Sequence, residues 1–412
     1  MVAEAQTLFV NTNIVDVQTG QVRADEAIWA RGSRIEAVGP VDDVRAEAQG
    51  SETTRVVDLD GSYLMPGLVN NHVHLSLGIP GELQSRIDRA TDADVAYLMA
   101  GAARRSLQAG ITTIRCVGEI RGIDFSLRNA IEQGLMPGPR IFTAGRQLCC
   151  TGGHNWQNGK VLADGAAEFR KAVRSQIGVG ADLIKVAISG GIAGQHEQIH
   201  TSQLTEDEME AVISIAHSWG RKVTAHAGPS AAVAPAVALG LDGVEHGYQL
   251  DDDTTKLMAE RGTLYVPTIS VTRCADFYEQ YKVPAWMRDR ALGAGERHWQ
   301  SLQSALRNVV SIALGSDMPP YAEFDDTTAT VRELELIVEA GLGTAEALRA
   351  ATVAGAAWLG VADDIGVLQA GAFADFVAMP ADPTKDVSAL REIHTVVKGG
   401  ELVRSRLLAA SL

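Results

Sequence analysis

The sequence of 412 residues predicts an α/β fold, namely a (β/α)8 TIM barrel with a small β-sandwich domain formed from both termini. Eight strand-like runs alternate with helical patterns through the middle of the chain. Repeated strand–helix units favour a parallel sheet, and eight of them indicate a closed barrel. Short β-prone runs return at both ends. We therefore assign residues 1–64 and 365–412 to the small β domain and residues 65–364 to the barrel.

The elements follow in order along the chain. Four short runs, TLFVNTNIVDV, EAIWA, RIEAVG and RVVDLDG, come first and are separated by Gly, Asp and Asn, which favour turns. The eight barrel strands are predicted in GLVNNHVHL, ITTIRCVG, RIFTAG, DLIKVAI, KVTAHAG, GVEHG, TLYVPTI and VSIALGSD. The helices between them carry their own start signals, such as the capping-box pattern TEDE at Thr205 to Glu208. Beyond Gly366, the runs VLQAGAFADFVAM and EIHTVVKGGELV complete the small β domain.

Composition excludes several classes of function. The 36 Lys and Arg against 51 Asp and Glu give a formal net charge of −15, which disfavours nucleic acids and anionic membranes as partners. No apolar run approaches the roughly 18 residues of a membrane span. The first residues lack the pattern of a signal peptide, and four cysteines are too few for a disulfide scaffold. We expect a cytoplasmic protein with a small-molecule substrate, and leave open that an export signal was removed.

Two histidines at the end of the first barrel strand are the first candidates for chemistry. His72 and His74 are two residues apart, so on a strand both side chains point to the same face. Two imidazoles at the C-terminal end of a barrel strand form half of a metal site. The alternative is that both are ordinary polar residues of a loop.

Four further residues end or occupy other predicted strands. His226 and His246, taken singly, fit buried histidines with satisfied hydrogen bonds, and Asp317 alone could cap a helix. Lys185 lies inside an apolar run, where an unpaired ammonium is costly unless its pKa falls or the side chain reaches the barrel mouth. Position favours one joint explanation, because all of these residues fall at the strand ends where barrel enzymes place catalytic groups.

The order HxH, Lys, His, His, Asp on eight strand–helix units resembles the amidohydrolase superfamily. The runs LMPGLVNNHVHL, ADLIKV, TAHAG, GVEHG, ALGSD and VLQAGAFADFV match its motifs along nearly the whole chain. Within it, CTGGH, ISGGI and VPT are similar to the binuclear-metal Xaa-Pro/Xaa-Arg dipeptidase-like carboxypeptidases. Ochratoxin-hydrolysing amidases and phenylurea hydrolases are nearby groups.

This resemblance implies two divalent metal ions, with Zn²⁺ expected and Mn²⁺ or Co²⁺ as alternatives. One ion would be held by His72, His74 and Asp317, and the second by His226 and His246. Lys185, carboxylated by CO₂, would bridge the two. A hydroxide between the metals would then attack the substrate carbonyl.

The resemblance also implies roles around the substrate. Asp317 would transfer the proton of the hydroxide to the leaving nitrogen. His154 would polarise the carbonyl oxygen or hold a substrate carboxylate, and Trp156 and Tyr248 would contact the substrate. A homo-oligomer, either a tetramer or an octamer, is expected. One departure is Asn70, which stands where the superfamily often has Asp, so a partner of the metal ligands has changed.

The predicted function is metal-dependent hydrolysis of an amide C–N bond in dipeptides or N-acyl amino acids, with ochratoxin A among the candidates. Hydrolysis of aryl ureas or carbamates on the same metal site is the first alternative. A single-metal deaminase is disfavoured because Pro229 stands where those relatives place a glutamate. A non-catalytic barrel is disfavoured because such proteins usually lose metal ligands, and this chain keeps all six.

Overall fold

The computed structural model describes residues 5–48 and 54–405. Residues 1–4, 49–53 and 406–412, all assigned to the predicted small β domain, lie outside the described residues. The chain divides into two compact units. The terminal unit comprises residues 1–69, 104–113 and 342–412, as far as they are described, and the central unit comprises residues 70–103 and 114–341.

The described residues form the following elements in chain order. The first are β1 (Gln6–Asp16), β2 (Gln21–Arg31), β3 (Arg34–Pro40), α1 (Val41–Ala48), β4 (Arg55–Pro66), β5 (Leu68–Val73), α2 (Glu82–Asp88), α3 (Asp92–Gln108), β6 (Ile111–Cys116), α4 (Ile123–Glu132), β7 (Arg140–Thr143), β8 (Leu148–Cys149), β9 (Val161–Leu162), α5 (Gly165–Gly178) and β10 (Ile184–Ala187). They continue with α6 (Glu206–Ser218), β11 (Val223–Pro229), α7 (Ser230–Ala238), β12 (Gly243–Gln249), α8 (Asp252–Arg261), β13 (Leu264–Val266), a 3₁₀ helix (Ile269–Thr272), α9 (Ala275–Gln280) and α10 (Ala285–Arg307). The last are β14 (Glu323–Phe324), β15 (Thr327–Thr328), α11 (Ala329–Glu339), α12 (Thr344–Ala350), α13 (Val353–Leu359), β16 (Phe376–Met379), a 3₁₀ helix (Val387–Glu392), β17 (Thr395–Lys398) and β18 (Glu401–Ser405).

Strands from both ends of the chain share one sheet in the terminal unit. Within the described residues its order is β18-β17-β16-β4-β1-β2-β3. The sequence predicts a sandwich, whereas these strands form one continuous seven-stranded sheet, because β4 pairs with β1 on one edge and with β16 on the other. Alternating side chains give the sheet two apolar faces. On one face the rings of Phe9 and Phe376 are 4.9 Å apart, and on the other Trp29 packs with Val44 of α1.

The central unit is built on parallel strands. Its larger sheet has the order β13-β12-β11-β10-β8-β9, and a second sheet has the order β5-β6-β7. Strands β10 to β13 start nearly in step, since Ile184 lies opposite Val223 and Gly243 lies opposite Leu264. Every residue of β10 and β11 is buried, as expected of parallel strands that are covered on both faces. The C-terminal ends of these strands therefore meet at one edge.

The eighth predicted barrel strand forms fewer pairings than expected. Within the described residues, Ile312 makes only an isolated parallel bridge to Tyr265. The backbone nevertheless bonds to neighbours on both sides, since Ala313 N donates to Tyr265 O (3.0 Å) and Asn71 N donates to Leu314 O (2.7 Å). The segment thus lies between β13 and β5 and ends in Asp317, whose backbone N donates to His72 O (3.0 Å).

Local sequence signals produce the expected caps. Thr205 and Glu208 form the predicted capping box at the start of α6. Asp251 caps α8 by accepting a hydrogen bond from Thr254 N (2.8 Å), and Gly262 ends that helix in the left-handed conformation. Over the residues that the structure describes, no helix combines the length and the apolar character needed to cross a bilayer.

Candidate metal centre and active site

Five of the six predicted ligands gather at one edge of the central unit. Asp317 Oδ1 lies 3.2 Å from His72 Nε2 and 3.3 Å from His74 Nε2. The potential ligand atoms of these three residues all fall within 4.8 Å of one another, close enough to share one cation. The ring of His246 lies 4.8 Å from that of His72 and 4.6 Å from that of His226. The structure therefore brings residues from β5, β11, β12 and the segment after β13 into one cluster.

Hydrogen bonds set the tautomer of the first two histidines. His72 Nδ1 lies 2.7 Å from Glu245 Oε2, and His74 Nδ1 lies 2.7 Å from Gly118 O. A carboxylate and a carbonyl only accept, so each Nδ1 carries a proton. Second partners of this kind orient ligating histidines in metal sites. Both Nε2 atoms point toward Asp317, and each would present a lone pair to a cation bound between them and that carboxylate.

Each of the other two histidines is also oriented by a hydrogen bond at one of its ring nitrogens. His246 Nδ1 lies 2.8 Å from Thr268 Oγ1, which itself donates to Pro267 O (2.6 Å). Because Thr268 donates its hydroxyl proton to Pro267 O, its oxygen accepts the hydrogen bond from His246 Nδ1–H. The Nε2 atom of His246 is then free to bind a metal. His226 is turned the other way, with Nε2 3.3 Å from Gly190 O, which leaves Nδ1 free. Burial and the neighbouring imidazoles hold the pKa of both histidines well below the usual range, so both are neutral, as metal ligands must be.

Lys185 is the unusual member of the cluster. It lies in β10, is 1% exposed, and its Nζ has no hydrogen-bond partner among the described residues. Burial lowers its pKa to about 7, although Glu245 acts in the opposite direction. The lowered pKa makes the neutral amine accessible near neutral pH, and a neutral amine can react with CO₂. The resulting anion would also remove the cost of an unpartnered buried ammonium.

Glu245 lies behind the metal ligands and was not singled out in the sequence. It is fully buried and accepts hydrogen bonds from His72, from the guanidinium of Arg115 and from the hydroxyl of Thr224. Burial alone would raise the pKa of Glu245, but Arg115, Lys185 and His72 hold it below the ordinary value. The sequence does contain a signal for this pair. Arg115 in ITTIRC and Glu245 in GVEHG are charged residues inside apolar strands, where a buried charge needs a partner of opposite charge.

Asn70 forms a second set of buried hydrogen bonds next to His72. Its side-chain Nδ2 donates to Ser316 Oγ (2.9 Å) and to Thr330 Oγ1 (3.0 Å), while its Oδ1 accepts from His72 N (3.1 Å). An amide both donates and accepts, whereas an aspartate at this position could not donate to the two hydroxyls. The departure from the superfamily pattern is therefore accommodated by a set of local partners that ties β5 to the segment carrying Asp317.

His154 sits beside the second pair of ligands. Its ring stacks on that of His226 with centroids 3.7 Å apart and an interplanar angle of 5°. His154 Nδ1 lies 2.8 Å from Glu197 Oε1, and Gln203 Nε2 donates to Glu197 Oε2 (3.2 Å). Burial raises the pKa of Glu197, but His154 and Gln203 outweigh that effect and lower it to about 2. Glu197, also absent from the sequence prediction, is therefore ionised at neutral pH and holds a proton on His154 Nδ1.

The cluster borders a cavity that has both polar and apolar lining residues. The metal-ligand candidates line it, together with His154 and Tyr248, whose ring stacks on His246 at 5.1 Å. The polar lining residues include Ser76, Gln147, Asn155, Asn158 and Lys160, and the apolar ones include Leu77, Ile79, Ile192, Val271, Phe277 and Met318. Trp156 is 39% exposed and is not one of the residues that line the cavity.

Comparisons with known proteins agree with this arrangement. The sequence profile of the Amidohydrolase family matches residues 63–403. Ochratoxinase of Aspergillus niger is 28% identical to this chain, and the alignment covers 97% of this chain and 87% of the ochratoxinase chain. A crystal structure of a Xaa-Pro dipeptidase with bound methionine in the active site is 30% identical, with a TM-score of 0.86 over 97% of this chain and all of the other. Phenylurea hydrolase B, at 22% identity and a TM-score of 0.77 over 97% of this chain and 96% of the other, shares the fold. These similarities imply a TIM-barrel-like fold with an additional domain.

Proposed function

The chain belongs to the amidohydrolase family, and from that premise we propose that it hydrolyses the amide bond of dipeptides or N-acyl amino acids with the help of two metal ions. Family membership and the similarity to ochratoxinase make it a hydrolase acting on C–N bonds of a small-molecule substrate. The observation that carries the finer proposal is the joint placement of His72, His74 and Asp317 beside an unpartnered, buried Lys185.

The side chains present fit the metal ions that are typical of the family. Imidazole nitrogens and a carboxylate are the donors that Zn²⁺ prefers, and the hydrogen bonds described above leave one lone pair free on each of four histidines. His72, His74 and Asp317 would hold one ion, and His226 and His246 the other. Lys185, carboxylated on Nζ, would supply oxygen ligands to both. When bound, the two cations would acidify water and polarise the amide carbonyl.

Asp317 is suited to move a proton during the reaction. Burial raises its pKa, but the neighbouring His72, His74 and His246 outweigh that effect and hold the pKa well below the ordinary value. The carboxylate is therefore ionised at neutral pH and can accept a proton. We assign to it the transfer of a proton from water to the leaving nitrogen, which must be protonated for the amide bond to break.

His154 is suited to bind the carbonyl oxygen of the scissile amide. Its Nδ1 is occupied by the ionised Glu197, and stacking on His226 fixes the ring beside the second pair of ligands. In the imidazolium form, which the ionised Glu197 would stabilise, the remaining Nε2–H would donate to the oxygen as negative charge develops there. Tyr248 lines the same cavity and would position the substrate. A substrate contact by Trp156 stays a prediction, since its side chain lies outside the cavity lining.

Two features support an acylated amino acid as the substrate. The relatives include an ochratoxinase and a Xaa-Pro dipeptidase, so ochratoxin A and dipeptides are the first compounds to test. The apolar lining residues, among them Ile79, Phe277 and Met318, would accept a hydrophobic side chain or acyl group. The same residues also keep aryl ureas and carbamates as a second candidate class.

We further propose that residues 1–64 and 365–412 form one domain and that residues 65–364 form the catalytic domain. The chain would assemble as a tetramer or octamer, which light scattering after size-exclusion chromatography measures. A cytoplasmic location is tested by fractionating the source cells.

The proposed reaction is tested by mass spectrometry of products from the Zn²⁺-loaded enzyme. The panel contains dipeptides, N-acyl amino acids including ochratoxin A, phenylureas and aryl carbamates. We expect a free amino acid from the first two classes, and no product with Asp317→Asn. Asp253→Asn, at an exposed aspartate, is the matched control and should retain activity. Cleavage of ureas or carbamates alone would replace the proposed substrate, and no hydrolysis of any compound would contradict the proposal.

A further inference from the structure

A lysine without a carboxylate partner faces the same cavity. Lys160 lines it, and Lys160 Nζ lies 3.3 Å from Gln147 Oε1. Among the described residues no acidic side chain lies within ion-pair distance of this ammonium group. Burial lowers the pKa of Lys160, which reflects the cost of holding a charge there without a close anion. A ligand that brought a carboxylate would remove that cost.

Gln147 adds a second unmet donor at the same place. Its side chain is 3% exposed and lines the cavity. Its Oε1 is the acceptor for Lys160, while its Nε2 is buried and has no hydrogen-bond partner among the described residues. Buried donors are normally paired, because an unmet one loses its hydrogen bonds to water without replacement. An ammonium whose acceptor is a neutral amide oxygen therefore lies beside an amide N–H₂ that has no acceptor among the described residues.

The backbone holds these two side chains in a fixed relation. Gln147 directly precedes β8 and Lys160 directly precedes β9, and the two strands pair in parallel with Leu148 opposite Val161. Val161 N donates to Gln147 O (2.9 Å). The guanidinium of Arg146 donates to Gly159 O (2.6 Å) and to Lys160 O, which ties the loop before β9 to the start of β8. Binding would therefore require little ordering of the chain.

The neighbouring cationic and imidazole groups are already occupied. His154 is paired with Glu197 at 2.8 Å, so a second carboxylate beside it would be repelled by that anion. The guanidinium of Arg290 donates to backbone carbonyls, including Gly194 O, and is not one of the residues that line the cavity. Lys185 is assigned to the metal centre. Among the described residues that line the cavity, Lys160 is thus the cation that has neither an acidic partner nor a role in the proposed metal centre.

We propose that Lys160 and Gln147 form a carboxylate-binding subsite that selects substrates bearing an acidic group near the scissile amide. This inference rests on the proposed amide hydrolysis and adds the residues that would recognise the charged end of the substrate. Lys160 supplies the charge, and Gln147 Nε2 supplies a directed hydrogen bond to the second carboxylate oxygen. The apolar lining residues of the cavity would then receive the uncharged part of the substrate.

The subsite is tested by a binding measurement that needs no turnover. The probe is a ketomethylene isostere of an N-acyl amino acid, in which a CH₂ group replaces the amide N–H, prepared as the acid and as the carboxamide. Calorimetry on the metal-loaded enzyme should show the acid binding about 10- to 100-fold more tightly than the carboxamide, the range expected for a hydrogen bond to a charged group. Lys160→Met should abolish this preference. Gln147→Glu should also abolish this preference, because the new carboxylate would form an ion pair with the ammonium of Lys160.

The control is Lys171→Met, which removes an exposed lysine from α5 and should keep the preference. Equal binding of acid and carboxamide by the wild-type enzyme, absence of binding by the acid, or an unchanged preference in Lys160→Met would each overturn the subsite. The two proposals fail separately. A preference for the acid without hydrolysis of any acylated amino acid would refute the reaction alone, and hydrolysis without the preference would refute the subsite alone.

Discussion

Replacing Glu245 by Gln tests whether the buried network behind His72 supports the metal centre. The carboxylate accepts hydrogen bonds from His72 Nδ1 (2.7 Å), Arg115 and Thr224 with no exposure to water. A glutamine keeps one acceptor oxygen and turns its N–H₂ group toward another donor. Arg115 then loses its ion-pair partner, or His72 loses the acceptor that fixes its tautomer.

The two losses have different magnitudes and different readouts. Removing one partner of a buried ion pair costs about 3–5 kcal/mol of folding stability. Removing the outer hydrogen-bond partner of a ligating histidine lowers metal affinity about 10- to 100-fold. We therefore expect Glu245→Gln to lower the free energy of unfolding of the metal-free protein by about 3 kcal/mol or more. In a competition with a chelator of known affinity, it should also release metal at a lower chelator concentration.

A matched control and a double variant separate these effects from general damage. Glu210→Gln changes an exposed glutamate of α6 and should leave both quantities unchanged. The double variant Arg115→Met/Glu245→Gln removes both charges. Its loss in the free energy of unfolding should therefore be about 1–3 kcal/mol smaller than the sum of the losses in the two single variants. The reasoning is refuted if Glu245→Gln unfolds within about 0.5 kcal/mol of the wild type and holds its metals equally well, since that is the range of an ordinary surface substitution.

Three further predictions concern individual side chains of the site. Lys185→Met should lower the metal content measured by elemental analysis and should raise the thermal midpoint of the metal-free protein, because an apolar group replaces a buried unpartnered amine; an unchanged metal content would contradict its assignment. The pKa of Glu197 in the folded protein, about 2, lies below its unfolded value of 4.5, so its stabilisation is complete above pH 4.5 and declines as the pH falls toward 2. The stability gap between wild type and Glu197→Gln should narrow by about 2 kcal/mol between pH 7 and pH 3, and a constant gap would refute the His154 pairing. In Gly191→Ala, the added methyl would lie 2.5 Å from His226 Nε2 and 2.6 Å from His154 Cε1, which should displace these stacked rings and cost about 1–3 kcal/mol. Gly293→Ala meets no neighbour within 4 Å and should cost nothing, so equal stability of the two variants in urea would contradict the close approach.

The ligand candidates could be chosen from the sequence because their positions obey a rule of the fold. Parallel strands that start in step end at one edge, so polar residues at those ends meet whatever their separation along the chain. His72 and Asp317 illustrate this, since 245 residues separate them and 3.2 Å separates their side chains. The order of the motifs then carried the resemblance to the family, which the comparisons confirm.

The supporting partners could not be chosen in the same way, because nothing local indicates which residues meet. Arg115 and Glu245 are 130 positions apart and interact only once β6 and β12 are in place. Glu197 lies in a loop with no periodic pattern, and its pairing with His154 depends on that loop folding back over β11. The predicted sandwich likewise became a single sheet, because the pairing of β4 with β16 joins strands that are distant in the sequence.

A metal titration tests most directly whether two metal ions in this cluster drive the proposed amide hydrolysis. Metal-free enzyme is titrated with Zn²⁺ while release of the amino acid from an N-acyl amino acid is followed by mass spectrometry. We predict that activity rises until two equivalents per chain are bound. Full activity at fewer than about 1.5 equivalents, or no release of amino acid at saturation, would contradict the account.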